Sequence, residues 1–277
     1  MSRNDEQLLA LLVRELSAVP GVRALALGGS RARGAATEHS DYDIGLYYDR
    51  DDSIDLAALQ RAADRVDQSD PPARVTQIGG WGPCINGGGW LTVQGARVDL
   101  LYRDIEKVSD VIGDCRDGRV GRYYQPGHPH AFLSSIYMGE IAYCRPLHDP
   151  KGALAALKKL TAPYPTPLGR ALIDVHRFEA TFSLENARKS ADRGDVSYVA
   201  GCAFRSVACL CQILFAANGA YLLNEKGAVA EADTFPRRPA EYARRVAEVF
   251  RDIGAGALGT ALDRLAGLIG DTDALVR

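Results

Sequence analysis

Residues 24–48 read ALALGGSRARGAATEHSDYDIGLYY, and this stretch decides the fold of the first half of the chain. Both ends are apolar enough for buried strands, and the glycines between them allow the backbone to turn tightly. We therefore predict a strand from Val22 that ends in Gly28 and Gly29, a short turn or helix from Ser30, and a second strand from Tyr42.

Further helices and strands follow from the spacing of apolar residues on either side of this stretch. Residues 5–18 have apolar side chains at helical spacing, and an amphipathic helix is predicted from Asp55. Three more strands are predicted at 74–78, 90–94 and 96–102, with Gly95 as the hairpin turn between the last two.

The second half of the chain has the spacing of helices throughout. Helices are predicted at 151–160, 166–193, 196–217, 239–253 and 257–270. The expected fold class is an α/β (α+β) domain with a mixed sheet over residues 1–150, followed by an all-α helical bundle over residues 151–277.

The composition is typical of a soluble globular protein, with 47% hydrophobic residues and a net charge of −2. No overall positive charge attracts nucleic acid or a membrane, although a local basic groove stays open. The N-terminus lacks a signal peptide, and no apolar run approaches the roughly 20 residues of a membrane span. We expect a cytoplasmic protein whose six scattered cysteines are reduced and mostly buried, without a zinc site.

The turn Gly28-Gly29-Ser30-Arg31 is a candidate phosphate site. Glycines let a ligand approach the backbone, and the free N–H groups of a helix start bind anions. Arg31 and Arg33 oppose the helix dipole, which an anion at the turn would explain. The alternative is that Ser30 is an ordinary helix N-cap.

Asp41 and Asp43 are candidate metal ligands at the start of the second strand. Alternation along a strand puts them on one face, opposite Tyr42 and Ile44. Two neighbouring carboxylates repel each other unless a cation lies between them, and Mg²⁺ prefers such oxygen ligands. The alternative is a solvated acidic strand end.

Asp99 interrupts the apolar strand ARVDLLY. A lone buried carboxylate is unfavourable, so Asp99 should have a partner or face a cleft. Beside Asp41 and Asp43 it would complete a three-carboxylate site able to hold two metal ions. If Asp99 is instead paired with a surface arginine, this residue has no role in the function.

The strings GGSRARG, SDYDIGLYY and VDLLY together resemble the nucleotidyltransferase pattern of the DNA polymerase β-like superfamily, over about residues 24–103. The resemblance implies a nucleotidyltransferase catalytic domain in which Gly29 and Ser30 hold the triphosphate. Asp41 and Asp43 would be metal ligands, and Asp99 a third ligand or the general base.

The helical second half resembles that of the aminoglycoside and lincosamide nucleotidyltransferases. Glu185 and Lys189 are similar to the Glu-x-x-x-Lys of the kanamycin nucleotidyltransferase family. That resemblance implies Glu185 as general base and Lys189 as a triphosphate contact. A Glu–Lys pair at this spacing is also ordinary on a helix surface. A base is needed at Asp99 or at Glu185, and the sequence does not choose between them.

Two other segments contain aromatic and histidine side chains that bear on the site. The loop 79–90 contains both tryptophans, Trp81 and Trp90, which could stack on a base or an acceptor ring. An ordinary flexible loop is the alternative. His128 and His130 flank Pro129 without a third ligand at a recognisable spacing, and they are interpreted as structural.

The resulting hypothesis is a Mg²⁺-dependent transfer of a nucleoside monophosphate, with ATP as the expected donor, to a small-molecule hydroxyl in a cleft between the two domains. An aminoglycoside or lincosamide is the first acceptor considered, and one or two Mg²⁺ ions are expected. The alternatives are a protein- or tRNA-modifying nucleotidyltransferase, as in a toxin, and a non-catalytic nucleotide-binding module. No membrane partner is expected, and a homodimer stays open.

Overall fold

The computed structural model describes residues 3–38 and 40–277, which form two compact units. The first unit contains the described residues up to Gly113 together with Tyr137–Pro163. The second contains Asp114–Ile136 and Tyr164–Arg277. The chain thus passes from one unit to the other three times. The domain bounds expected from the sequence, 1–150 and 151–277, stay a prediction.

The first unit is built on a mixed sheet of five strands. These strands are β1 (Ala24–Leu27), β2 (Tyr42–Tyr48), β3 (Gly88–Val93), β4 (Ala96–Asp104) and β7 (Arg145–His148). Their order is β3-β4-β2-β1-β7, in which β2 and β4 are parallel and the other neighbours are antiparallel. The predicted mixed sheet is confirmed.

Six helices lie wholly or mostly in this first unit. They are α1 (Arg3–Leu16), α2 (Gly29–Ala32), α3 (Leu56–Asp64), α4 (Ile105–Arg116), α5 (Ser135–Tyr143) and α6 (Ala153–Leu160). The helix α1 buries Leu8, Leu12 and Leu16 in one core with Ile44 and Leu46 of β2. Because these leucines recur every four residues, they form one apolar face of the helix.

The hairpin between β3 and β4 turns as predicted at Gly95. Val93 pairs with Ala96, and both residues of the two-residue loop, Gln94 and Gly95, have positive φ angles of 52° and 77°. A turn of this kind matches the twist of the strands it joins. The turn therefore sets the register in which β3 and β4 pair.

The predicted strand at residues 74–78 is wrong. This segment forms no strand, although Thr76 N donates to the Gly88 carbonyl at 2.8 Å. Its neighbour Val75 donates its N–H to Oε1 of Gln60 at 3.0 Å instead of to a strand. A side chain thus takes the place of a sheet partner, and no continuous ladder forms.

The second unit is mainly helical. It contains the two-stranded pair β5 (Arg122–Tyr123) and β6 (Phe132–Leu133), followed by α7 (Thr166–Ala191), α8 (Val196–Ala217), α9 (Ala228–Ala232), α10 (Tyr242–Gly254) and α11 (Leu258–Val276). Asp195 caps α8 by accepting a hydrogen bond from Tyr198 N at 3.1 Å. The predicted helical C-terminal region is confirmed.

One described helix, α8, is long and apolar enough to cross a membrane by length and composition alone, which corrects the expectation that no run reaches that length. In the fold, 72% of its apolar window is buried. Val199, Ala203 and Leu210 lie in the core shared with α7, α10 and α11. Its apolar character is explained by its position in the middle of the helical unit.

Candidate functional site

Asp43 and Asp99 lie directly opposite each other on the parallel strands β2 and β4. Both are half-buried, whereas Ile44 and Leu100, which follow them, are fully buried on the other face of the sheet. Neighbouring strands lie about 4.8 Å apart, so paired residues present their side chains on the same face close together. The structure therefore brings together two of the three predicted carboxylates.

The glycine turn packs against Asp43. Gly28 follows β1 and donates its N–H to the Asp43 carbonyl at 2.7 Å. Gly29 has a φ angle of +59°, and a Cβ added to it would lie 1.8 Å from Asp43 Oδ2. No side chain fits at that distance, so the carboxylate lies against the Gly29 backbone. Ser30, the next residue, is half-buried at the start of α2.

Asp41 lies one residue before β2 and is paired with Arg97. The distance between Arg97 Nε and Asp41 Oδ1 is 2.6 Å, although Oδ1 is shielded from water and receives no hydrogen bond of acceptable geometry. The Arg97 side chain is 69% exposed and that of Asp41 34%. Exposed pairs of this kind contribute little to stability, so Arg97 holds the carboxylate only weakly.

Arg31 and Arg33 both have partners within the first unit. Arg31 donates to the Ser40 carbonyl from Nη2 at 2.7 Å and from Nε at 3.1 Å, and its guanidinium lies 3.8 Å from the centre of the Tyr42 ring. The Arg33 guanidinium lies 5.2 Å from the centre of the Tyr143 ring. Arg31 thus ties α2 to the start of β2. The nucleotide-binding roles of both arginines stay predictions.

The two tryptophans of the loop 79–90 stack on each other. Their ring centres are 4.5 Å apart and their planes differ by 19°. Trp90 pairs with Asp99 across the antiparallel strands β3 and β4, so the two side chains share a face of the sheet. The indole of Trp90 is 64% exposed. A flat aromatic surface therefore lies beside the carboxylates.

Glu185 and Lys189 are exposed one turn apart on α7, in the second unit. Among the ion pairs of the described residues, none joins them. The predicted contacts of this pair with the acceptor hydroxyl and the triphosphate stay predictions.

The second unit contains a polar cluster that was not predicted from the sequence. His130 Nε2 lies 3.0 Å from Glu179 Oε1 and 3.7 Å from Cys209 Sγ. His130 was singled out only as structural, because Glu179 and Cys209 lie far from it along the chain. The available signal was a glutamate on the apolar face of α7, at a position where a lone carboxylate needs a partner.

Within residues 3–38 and 40–277, this cluster is the one set of three metal-capable side chains whose donor atoms lie within 4.8 Å of one another. Asp41, Asp43 and Asp99 do not form so tight a set, and their role as metal ligands stays a prediction. In the cluster, His130 uses Nε2 to donate to Glu179, and burial raises the pKa of the Cys209 thiol. These groups are arranged for hydrogen bonding with one another.

Glu179 is ionised because it has several cationic partners. Arg122 Nη1 lies 2.5 Å from Oε2, and Arg205 Nε lies 2.6 Å from Oε1. Burial alone would raise the pKa of Glu179. The hydrogen bond from His130 and the charges of Arg122 and Arg205 outweigh that effect and lower the pKa to about 2.

Comparison with known proteins agrees with the geometry of the first unit. Residues 9–113 match the family model of the nucleotidyltransferase domain. This range contains the glycine turn and all three predicted carboxylates. A search of curated proteins found no match.

Among solved structures, the chain is similar to a nucleotidyltransferase-like protein from Exiguobacterium sibiricum 255-15. The two share 12% sequence identity with a TM-score of 0.44, over 98% of this chain and 78% of that chain. The assignment of an activity comes from the family model: the protein is an enzyme of the nucleotidyltransferase class, with its nucleotidyltransferase domain at residues 9–113.

Proposed function

We propose that this nucleotidyltransferase moves a nucleoside monophosphate, with ATP as the first donor to test, onto a hydroxyl group of a small molecule and releases pyrophosphate. The observation that carries the proposal is the facing pair Asp43 and Asp99, with the glycine turn packed against Asp43. An aminoglycoside or a lincosamide is the acceptor that the resemblance of the helical half suggests.

The triphosphate is assigned to the turn formed by Gly28, Gly29 and Ser30. The positive φ angle of Gly29 and its missing side chain leave the backbone open to an anion. The Ser30 hydroxyl is available in the same turn to donate to a phosphate oxygen. The exposed face of Trp90 supports a role in stacking on the nucleotide base.

The carboxylates near this turn fit Mg²⁺ by their chemistry. Carboxylate oxygens are its preferred protein ligands, and Asp41 Oδ1 is a shielded oxygen without a well-formed hydrogen bond. Asp41 and Asp43 would hold one ion, and Asp99 could share a second. When bound, Mg²⁺ neutralises the charge of the triphosphate and polarises its phosphoryl oxygens.

The chain's own task is then to position the reactants and to accept a proton. The acceptor oxygen forms a bond to the α-phosphorus, the bond from that phosphorus to the β-phosphate oxygen breaks, and pyrophosphate leaves. The proton of the acceptor hydroxyl goes to a carboxylate. Asp99 is supported for this role by its place opposite Asp43, and Glu185 by the resemblance to the kanamycin family. Most of the rate acceleration would come from positioning and charge neutralisation.

The test measures pyrophosphate release with each of the four NTPs and Mg²⁺, with and without a panel of aminoglycosides and lincosamides. Release that requires one drug and disappears in both Asp41→Asn and Asp43→Asn supports the reaction and identifies the acceptor class.

Two other results would contradict parts of the proposal. If no drug supports release although NTP binds with Mg²⁺, the acceptor is not of these classes, and protein and tRNA acceptors come next. If no NTP binds at all, the assignment of the glycine turn and carboxylates is wrong.

A further inference from the structure

The second unit has an open cleft that no step of the proposed reaction uses. It lies between α7 and α8, next to Arg122 of β5, and its volume is about 730 Å³. Sites for small molecules commonly measure about 300–1,000 Å³ and combine apolar walls with a few polar groups. The cleft therefore has the size of a small-molecule site.

One wall of the cleft is aromatic and exposed. Phe178 and Phe182 lie one turn apart on α7, with ring centres 5.6 Å apart and planes that differ by 14°. Phe178 is 72% exposed and Phe182 55%. Tyr198, at the start of α8, lines the cleft as well. Stacked and exposed rings of this kind form a flat apolar surface for another ring.

The floor of the cleft carries a surplus of positive charge. Arg122 and Arg205 both line it, and both are paired with the single buried carboxylate of Glu179. Two guanidinium groups thus share one negative charge. Among the described residues, neither arginine forms an ion pair with a second carboxylate.

Each of these guanidinium groups has N–H donors beyond the one directed at Glu179. The Arg122 side chain is 35% exposed and that of Arg205 49%. A guanidinium that is held in place by one carboxylate can donate paired hydrogen bonds to a second oxyanion. Glu179 therefore acts as a fixed support that orients both arginines at the cleft.

We propose that this cleft binds an organic anion with a flat aromatic ring, whose carboxylate or phosphate lies at Arg122 and Arg205 and whose ring packs on Phe178 and Phe182. A cationic ligand such as an aminoglycoside would meet the two guanidinium groups and be repelled. The proposal does not rest on nucleotidyl transfer, because none of the residues that carry it, Arg122, Phe178, Phe182 and Arg205, has a role in the proposed reaction.

The experiment is isothermal titration of the full-length protein with 2-naphthoate and phenyl phosphate, and with the uncharged 2-naphthalenemethanol for comparison. We expect both anions to bind and the alcohol to bind at least about tenfold more weakly, since it lacks the charge-assisted hydrogen bonds. Arg205→Gln should weaken the binding of 2-naphthoate about tenfold, and Phe178→Ala should weaken the same binding about fivefold. Phe178 is 72% exposed, and Glu179 keeps Arg122 and His130 as partners when Arg205 is replaced, so both variants are expected to fold.

Two variants serve as matched controls. Arg193→Gln removes an exposed arginine, and Tyr124→Ala removes a ring that is 91% exposed, in both cases outside the cleft lining. Neither should change the binding of 2-naphthoate more than twofold. Thermal unfolding of each variant verifies that the fold is retained.

Three results would overturn the proposal. The first is that neither anion binds at millimolar concentration. The second is that 2-naphthoate binds equally well to Arg205→Gln and Phe178→Ala, which places it elsewhere. The third is that the protein sediments as a dimer and the Phe178→Ala variant sediments as a monomer. The aromatic wall would then be the contact surface for a second copy of the chain.

Discussion

Replacing Gly29 by alanine tests the link between the glycine turn and Asp43. The added Cβ would lie 1.8 Å from Asp43 Oδ2, whereas real Cβ contacts are essentially never under 3.0 Å. The carboxylate or the turn must therefore move by at least about 1.2 Å, the difference between these two distances. A displacement of about 1 Å at a reactive group can lower a rate about 100-fold.

The same substitution strains the backbone, and this effect needs its own control. Alanine at a φ angle of +59° costs roughly 1–2 kcal/mol in unfolding free energy. Gly34 has a φ angle of +72°, and no atom lies within 4 Å of a Cβ added there. Gly34→Ala therefore introduces similar strain without the clash.

The measurements are unfolding in guanidinium chloride, Mg²⁺-dependent binding of NTP, and pyrophosphate release with the acceptor found in the panel. We expect Gly34→Ala to lose about 1–2 kcal/mol of stability from backbone strain, and Gly29→Ala to lose at least as much. Only Gly29→Ala should lose turnover, by about 100-fold or more. Equal turnover in the two variants would refute the reasoning, because the contact between Gly29 and Asp43 would then have no part in the reaction.

Three further predictions concern buried charge, the general base and pH. Glu140 accepts hydrogen bonds from the buried Arg103 guanidinium at 2.7 and 2.8 Å. Glu140→Gln leaves this buried charge without a carboxylate partner and should lower the unfolding free energy by about 3 kcal/mol in a denaturant titration. A loss below about 1 kcal/mol would contradict this prediction. Glu185→Gln should lower kcat about 100-fold if Glu185 is the base, and an unchanged kcat transfers that role to Asp99. Burial lowers the pKa of His176 from 6.5 to about 4, so the unfolded chain binds the proton more readily than the folded protein does. The unfolding free energy is therefore highest above pH 6.5 and decreases as the pH falls toward 4. Between pH 7 and pH 5 this loss is about 2 kcal/mol, and it should be absent from His176→Gln when unfolding is measured at both pH values.

Part of the site was predictable because it depends only on neighbours along the chain. Alternation along β2 places Asp43 opposite the buried Ile44, and the turn at Gly29 requires a residue that tolerates a positive φ angle. The long helices of the second half were predictable for the same reason, since each has its own run of apolar residues, whereas the five-residue helix α9 was not predicted. The prediction at residues 74–78 failed because the Gln60 side chain bonds the segment, and strand propensity contains no information about such a partner.

The sequence by itself determined most of the helices, the strands β1 to β4, and the residue types able to hold a nucleotide and a metal ion, whereas α4, α5, α9 and β5 to β7 were not predicted. Only the tertiary structure decided which of them meet. The parallel pairing of β2 with β4 brings Asp43 opposite Asp99, and the packing of α7 and α8 brings Glu179 to His130 and Arg205. Local periodicity reports which face of an element is apolar, because burial acts on each residue separately. It does not report which element covers that face, because that depends on contacts between residues far apart in the chain.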